Sequence, residues 1–289
     1  MELFRALAVL SEPPTDEAVR LAEALELGPI PAASEYTELF VFQLYPYASV
    51  YLGAEGMIGG EARAAVAGFW RALGQTPPAE ADNLAVMLAL YAQLAELEEQ
   101  QEVAMRRQTW ANARKAFLWE HLLSWLPVYL QKLEAIAPPF YRRWGELLAQ
   151  ALLEEAEQVG RQAQLSSHLR ASPGLIDPRG EGHTVEEFLQ SLLSPVRSGM
   201  ILVRADLSRA ARRFGLVSRL GERRFILKSF FGQDAQATLD WLAEEANIWA
   251  ERHRQTCRAL GETAAAWEEK ARAAVALLRE LKAAAKEIA

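Results

Sequence analysis

The chain has 289 residues, of which 51% are hydrophobic and 24% charged, with one cysteine and four histidines. These fractions are those of a globular protein and exclude disorder or a fibrous fold, and the length suits one large domain or two modest ones. The lone Cys257 excludes a disulfide framework and any cysteine-built zinc or iron–sulfur site.

The first residues, MELFRALAVLSEPP, lack the basic segment and long apolar run of an export signal. No run of 18 apolar residues occurs, so no membrane span is predicted, and the expectation is a soluble, cytoplasmic protein. Helical periodicity dominates throughout, which predicts an all-α fold. Leu3, Phe4, Leu7 and Leu10 form a first stripe that stops at Pro13-Pro14. Thr15 caps a second helix ending near Gly28, and Ser34 caps a third that Pro46 terminates. The segment PYASVYLGAEGMIGG, with Gly53, Gly56, Gly59 and Gly60, reads as an interhelical loop.

A short helix over Glu61–Leu73 follows, closed by Gly74. A long one is predicted from about Asp82 to Gln108, with Leu84, Met87, Leu88, Tyr91, Leu94 and Leu97 on one face and Asp82 available as its N-cap. The next, about Trp110 to Leu133, must kink or restart at Pro127. Pro138-Pro139 open a helix to about Gly160. Residues 163–183 are rich in Gly, Pro and Ser and read as a linker. Short helices at about 184–193, 205–214 and 221–231 precede a long Ala-rich stretch that Gly261 divides.

Charge is unevenly distributed. Residues 1–104 hold 16 acidic and 4 basic side chains, a charge of −12, whereas residues 196–228 hold 9 basic and 2 acidic ones, a charge of +7. An acidic front half suits a basic peptide or partner. The basic block invites comparison with a helix–turn–helix, but the second-helix positions that should be apolar are Gly221 and Arg224. A DNA-binding regulator acting through 196–228 stays as the alternative function. The block otherwise reads as a solvated face, or as one that docks on the acidic front half.

Catalytic signatures are absent. His253 and Cys257 lie one helical turn apart, yet two ligands make no metal site, and the pair reads as part of an exposed or docking helix face. His168 and His183 fall in or beside the linker without partners. There is no GxSxG, and GAEGMIGG lacks both the GK[ST] ending and the preceding strand of a phosphate loop. No enzyme activity, metal or cofactor is predicted.

Aromatic residues are more informative. Tyr36, Leu39, Phe40, Tyr45, Tyr47 and Tyr51 crowd one short segment, and Trp119, His121 and Trp125 another. Most serve a core; the remainder suit an apolar groove for a partner helix or peptide.

Three segments resemble the TorD/DmsD/NarJ family of chaperones that mature molybdopterin oxidoreductases. They are Tyr36-Thr37-Glu38-Leu39-Phe40 with Pro46-Tyr47-Ala48-Ser49-Val50-Tyr51-Leu52 beyond it, Glu80-Ala81-Asp82-Asn83-Leu84, and Trp119-Glu120-His121-Leu122-Leu123-Ser124-Trp125-Leu126-Pro127. Ala81 and Asn83 stand where the family has proline and histidine; asparagine keeps a donor and an acceptor but no titratable charge. The resemblance implies a non-catalytic, all-α chaperone domain over 1–162, followed by the linker and a helical extension over 184–289. It also implies binding of the twin-arginine leader of a molybdopterin oxidoreductase catalytic subunit, or of its apo-enzyme, until cofactor insertion. Nucleic acid is not an expected partner, and either a monomer or a homodimer fits the family. A leader with an Arg-Arg head and an apolar stretch needs carboxylates beside an aromatic wall. The candidate carboxylates are Glu38, Glu80 and Asp82. The candidate wall is Tyr36, Leu39, Phe40, Pro46, Tyr47, Trp119, His121 and Trp125, with Asn83 alongside.

Overall fold

The computed structural model describes residues 1–162, 164–217 and 221–288, with side chains through residue 284. The chain is all-α, and among the described residues the sole extended pairing is one antiparallel bridge between Tyr47 and Asn83. Two compact units divide it. The first comprises Met1–Ser49 and Ile58–Arg170; the second comprises Val50–Met57 and the chain from Ala171 onward.

The first unit begins with α1 (Glu2–Val9) and α2 (Asp16–Ala24). Phe4 and Leu7 of the expected stripe are buried, and the Thr15 hydroxyl accepts from the Ala18 amide at 3.2 Å as the cap of α2. The third helix departs from expectation twice. Its cap is Ala32 rather than Ser34, because the Glu35 carboxylate reaches back to the Ala32 amide at 3.1 Å. After one turn, α3 (Ala33–Tyr36) widens into a π-helical segment, Thr37–Gln43, closed by the Leu44 amide on the Leu39 carbonyl at 2.7 Å. The segment beyond is not wholly loop, since Ala48–Leu52 form a short helix, α4. Helix α5 spans Gly60–Ala72 and ends at Gly74, whose φ of +75° suits glycine.

The predicted 82–108 helix is two helices, α6 (Leu84–Glu99) and α7 (Ala104–Phe117). The guanidinium of Arg107 holds the Gln101 carbonyl, with Nε at 3.0 Å and Nη2 at 2.6 Å, and so anchors the break between them. Helix α6 is apolar nearly all round and buries Leu84, Met87, Leu88, Leu90, Tyr91 and Leu94, which makes it the centre of the unit. Helix α7 also widens into a π segment, Leu118–Leu122, closed by the Leu123 amide on the Leu118 carbonyl at 2.7 Å. Pro127 then sits in the first turn of α8 (Leu126–Ile136), so the chain restarts there. Helix α9 (Pro139–Val159) opens at the proline pair and closes against α1 through Trp144, whose indole donates to the Leu7 carbonyl at 3.1 Å. Within 163–183, Ser167–Ala171 form a short helix, α10.

The second unit contains α11 (Val185–Leu193), α12 (Pro195–Ser198), α13 (Arg204–Phe214), α14 (Arg223–Gln233), α15 (Ala235–Leu260) and α16 (Glu262–Ile288). Thr184 and Glu187 form a reciprocal capping box on α11, and Gly261 separates the two long helices, which fold back on each other. His253 is a correction to the exposed-face reading. It is 1% exposed, its Nε2 donates to the Gly199 carbonyl at 2.8 Å, and its ring lies between Trp249 and Trp267 at 5.5 and 5.9 Å. Three members of the basic block are matched by carboxylates within their own unit. Arg209 bonds Asp206 and Glu245, Arg213 bonds Glu244, and Lys228 bonds Glu186. Arg219 of that block lies outside the described residues. Among the described residues no helix is long and apolar enough to cross a membrane, and no group of three or more His, Cys, Asp or Glu is placed to hold a metal ion.

Candidate functional site

Two of the three family-like segments meet at the start of α6. Residues 80–83 form a turn closed by the Asn83 amide on the Glu80 carbonyl at 3.0 Å. Residues 46–49 run alongside it: the Leu84 amide donates to the Pro46 carbonyl at 2.8 Å and the Ala48 amide to the Asp82 carbonyl at 3.0 Å. This pairing sets Tyr47 against Asn83 and lets the Tyr47 hydroxyl donate to Glu80 at 3.0 Å. Burial holds the Tyr47 phenol above its usual range; the contact with Asn83 opposes this, and the Glu80 bond adds to it.

The two carboxylates of this turn are not equivalent. Glu80 is open to solvent. Asp82 is 1% exposed; its Oδ2 accepts from the Ser49 amide at 3.1 Å, and its buried Oδ1 has no hydrogen-bond partner. Helix α6 is capped by Asn83 and not by Asp82, since the Asn83 side-chain oxygen accepts from the Ala85 amide at 2.9 Å. Asparagine in place of histidine therefore has a local use, which frees Asp82 from capping.

The aromatic residues lie in two groups. Tyr36 and Phe40, whose rings are 5.1 Å apart, pack on Tyr141 of α9 at 6.5 and 4.9 Å, with Trp144 6.4 Å from Phe40. Tyr36 is half-buried, and burial pushes its phenol up to about 12, with the Glu12 and Tyr47 charges adding to the shift. Leu39 and Phe40 are buried, while Val41 and Phe42 of the same π segment are 44% and 46% exposed beside the exposed Glu38. Pro46 is buried.

Trp119, His121 and Trp125 form the second group, and each is at most 5% exposed. The Trp119 indole donates to the Gly160 carbonyl at 3.0 Å and the Trp125 indole to the His121 carbonyl at 2.8 Å. Tyr129, ringed against Trp125 at 5.3 Å, reaches the Leu44 carbonyl at 3.5 Å, which sets this group behind the π segment. These three side chains are packed interior, and the accessible members of the candidate set are Tyr36, Glu38, Tyr47, Glu80 and Asn83.

Sequence reasoning missed Tyr141 and Phe69, and it quoted Ser49 without giving it a role. The first follows a proline pair at a helix start, a position that signals structure rather than a site. The expectation that His168 has no partner is corrected: its ring is 5.9 Å from that of His121, which also meets Phe69 at 5.5 Å and Phe117 at 5.3 Å. His183 also has a contact, its Nδ1 lying 2.9 Å from the Asp177 carbonyl.

Burial, with the neighbouring His168 charge adding, pushes His121 down to about 3; burial pushes His253 down to about 4. Both are neutral when folded, whereas the unfolded chain takes up their protons below about pH 6.5. Stability is therefore full above that pH and falls as pH drops toward the folded values. Each histidine should cost about 2 kcal/mol between pH 7 and pH 5. Urea unfolding at the two pH values checks this, and His121→Phe should remove its share of the difference.

Residues 10–131 match the family of the nitrate reductase delta subunit. That segment, 122 of the 289 residues, is similar to the NarJ/TorD chaperone family. No curated protein and no solved structure matches. All three family-like segments lie within the matched NarJ/TorD span, which ends inside α8. NarJ/TorD proteins are maturation factors for redox enzymes, and a chaperone role with a molybdoenzyme subunit as partner is what the match implies for the segment it covers.

Proposed function

We propose that this chaperone acts in the cytoplasm on a molybdopterin oxidoreductase whose catalytic subunit carries a twin-arginine leader, and that it binds that leader until the cofactor is in place. The observation that carries this reading is the turn at 80–83. An open carboxylate, Glu80, shares a hydrogen bond with the half-buried Tyr47, beside the Asn83 that caps α6. A guanidinium can bond Glu80 in bidentate fashion while stacking on the Tyr47 ring, and both interactions favour arginine over lysine. The exposed pair Val41 and Phe42, beside Glu38, supplies apolar surface for the stretch that follows the arginines.

The test is calorimetry with a synthetic leader peptide from a molybdopterin oxidoreductase. Glu80→Gln should weaken binding by about 1–3 kcal/mol. Tyr47→Phe keeps the ring but loses the hydroxyl, and should cost about 0.5–1.5 kcal/mol. Unchanged affinity in both variants would move the arginine site elsewhere. No observation favours the DNA-binding alternative, and Arg209, Arg213 and Lys228 of the basic block are bonded to carboxylates of their own unit.

A further inference from the structure

Within the first unit, the residues that open α10 pack on the π segment Leu118–Leu122. The Glu120 carboxylate accepts from the Ser167 amide at 2.7 Å and from the Ser167 hydroxyl. The Trp119 indole reaches the Gly160 carbonyl, just past the end of α9. Ser166 is 2% exposed and Leu169 3%, so one side of the short helix faces the interior. The half-buried His168 ring completes the contact, 5.9 Å from that of His121. All of these residues belong to the first unit.

The two histidines give this contact its chemistry. Nδ1 of His121 and Nε2 of His168 are buried, and among the described residues neither has a hydrogen-bond partner. Aromatic rings surround His121 otherwise, with Phe69 of α5 at 5.5 Å and Phe117 of α7 at 5.3 Å. A neutral imidazole tolerates such surroundings, whereas an imidazolium there needs water or an acceptor. The carboxylates that face His168 are Glu120 and Glu61, and Glu120 already holds Ser167. The titratable group that acts on His121 is His168, whose proton would repel a second one. Burial holds both rings below the usual imidazole range, and for His168 the two carboxylates offset only part of the shift.

We propose that Ser166–Arg170 form an acid-released cover over the aromatic face of the π segment, with His168 and His121 as its proton-sensitive pair. In the closed state both rings are neutral. Release brings His168 into water, where it takes up a proton near pH 6.5, and uncovers His121 to do the same. The closed state is therefore fully favoured above that pH and loses ground as pH falls toward the folded values. Once released, Trp119, Phe117 and Phe69 present apolar surface beside the charged His121. This step is local, since the packing of α6 is untouched, and it stands apart from the leader-binding reading.

Hydrogen exchange on the full chain at about pH 7.5 and about pH 5.5, corrected for the intrinsic pH dependence of exchange, reads the release. The reporters are the amides of Ser167, Leu169 and Arg170, bonded to Glu120, the Ser166 hydroxyl and the Ser166 carbonyl. Their protection should fall at least about tenfold at the lower pH, while the central amides of α6 keep theirs. His168→Phe keeps a ring in place but takes no proton, and should cut that fall several-fold; adding His121→Phe should abolish it. Glu120→Ala removes the acceptor of Ser167 and should loosen the same amides at both pH values, which serves if His168→Phe fails to fold. The apolar dye bis-ANS should bind the unaltered chain at the lower pH and not at the higher. If the three amides keep their protection, or those of α6 fall by the same factor, there is no separate cover and the proposal falls. It falls equally if the amides respond without dye binding, or if His168→Phe leaves the pH dependence unchanged.

Discussion

Replacing Arg114 by alanine should cost about 3–5 kcal/mol of stability, because it leaves buried carboxylates without a cation. Arg114 is 15% exposed and lies between α6 and α9. Its Nε is 2.9 Å from Glu98, and its Nη1 is 3.2 Å from Glu155, itself 8% exposed. The fully buried Tyr91 donates its hydroxyl to the same Glu155 oxygen, and burial followed by that bond raises its phenol far above the usual range. Three helices of the first unit, α6, α7 and α9, therefore meet at one charged network. Removing the cation strands two negative groups, of which Glu155 keeps the Tyr91 hydroxyl as a donor. Urea unfolding of Arg114→Ala reads the loss directly. Arg114→Met combined with Glu155→Gln should recover much of it, since a network replaced as a whole leaves less uncompensated charge. A loss under about 1 kcal/mol in the single variant would mean that the pair is solvated and not a core element.

The second large effect belongs to the second unit. Gly199 ends α12 at a φ of +71°, and a Cβ built there would lie 2.3 Å from the Ala271 amide nitrogen and 2.7 Å from its Cα. Both obstacles are backbone of α16, so no side chain can swing away. The carbonyl of the same residue accepts from the buried His253, which fixes it from the other direction. Gly199→Ala should cost at least about 3 kcal/mol, the sum of a strained backbone and an overpacked crossing. Trp241, Trp249 and Trp267 are buried in this unit and report its unfolding by fluorescence. A variant within about 1 kcal/mol of the original would contradict so close an approach of α16.

Much of the fold was legible because it rests on local chemistry. The Thr15 cap, the proline pair that opens α9, the restart at Pro127 and the break at Gly261 are all short-range signals. The two π segments were not legible, and they overlap the first and third family-like segments. An extra residue per turn leaves no mark on a pattern of apolar side chains. It is set by which neighbours the turn must reach, as when Phe40 meets Tyr141 and Trp144, about a hundred residues away.

The candidate site was legible in part for the same reason. Tyr47, Glu80, Asp82 and Asn83 were singled out on separate segments, and the pairing of 46–49 with 80–84 brings them together. Sequence could not divide the carboxylates into an open Glu80 and a buried Asp82, because that depends on where Ser49 comes to lie. Nor could it assign Val50–Met57 to the second unit, since its glycines look like slack until Gly56 is seen against Ser194. Asn83 carries the opposite lesson: a departure from the family pattern became intelligible once its oxygen was found capping α6.

One titration bears most directly on the proposed chaperone function. The full chain is titrated calorimetrically with a molybdopterin oxidoreductase leader peptide carrying its arginine pair, and in parallel with the same peptide carrying two lysines. A bidentate site at Glu80 and Tyr47 gives saturable binding to the arginine form and affinity lower by about 1–3 kcal/mol for the lysine form. Equal affinity for the two peptides, or no binding to either, would contradict recognition of the leader at this site.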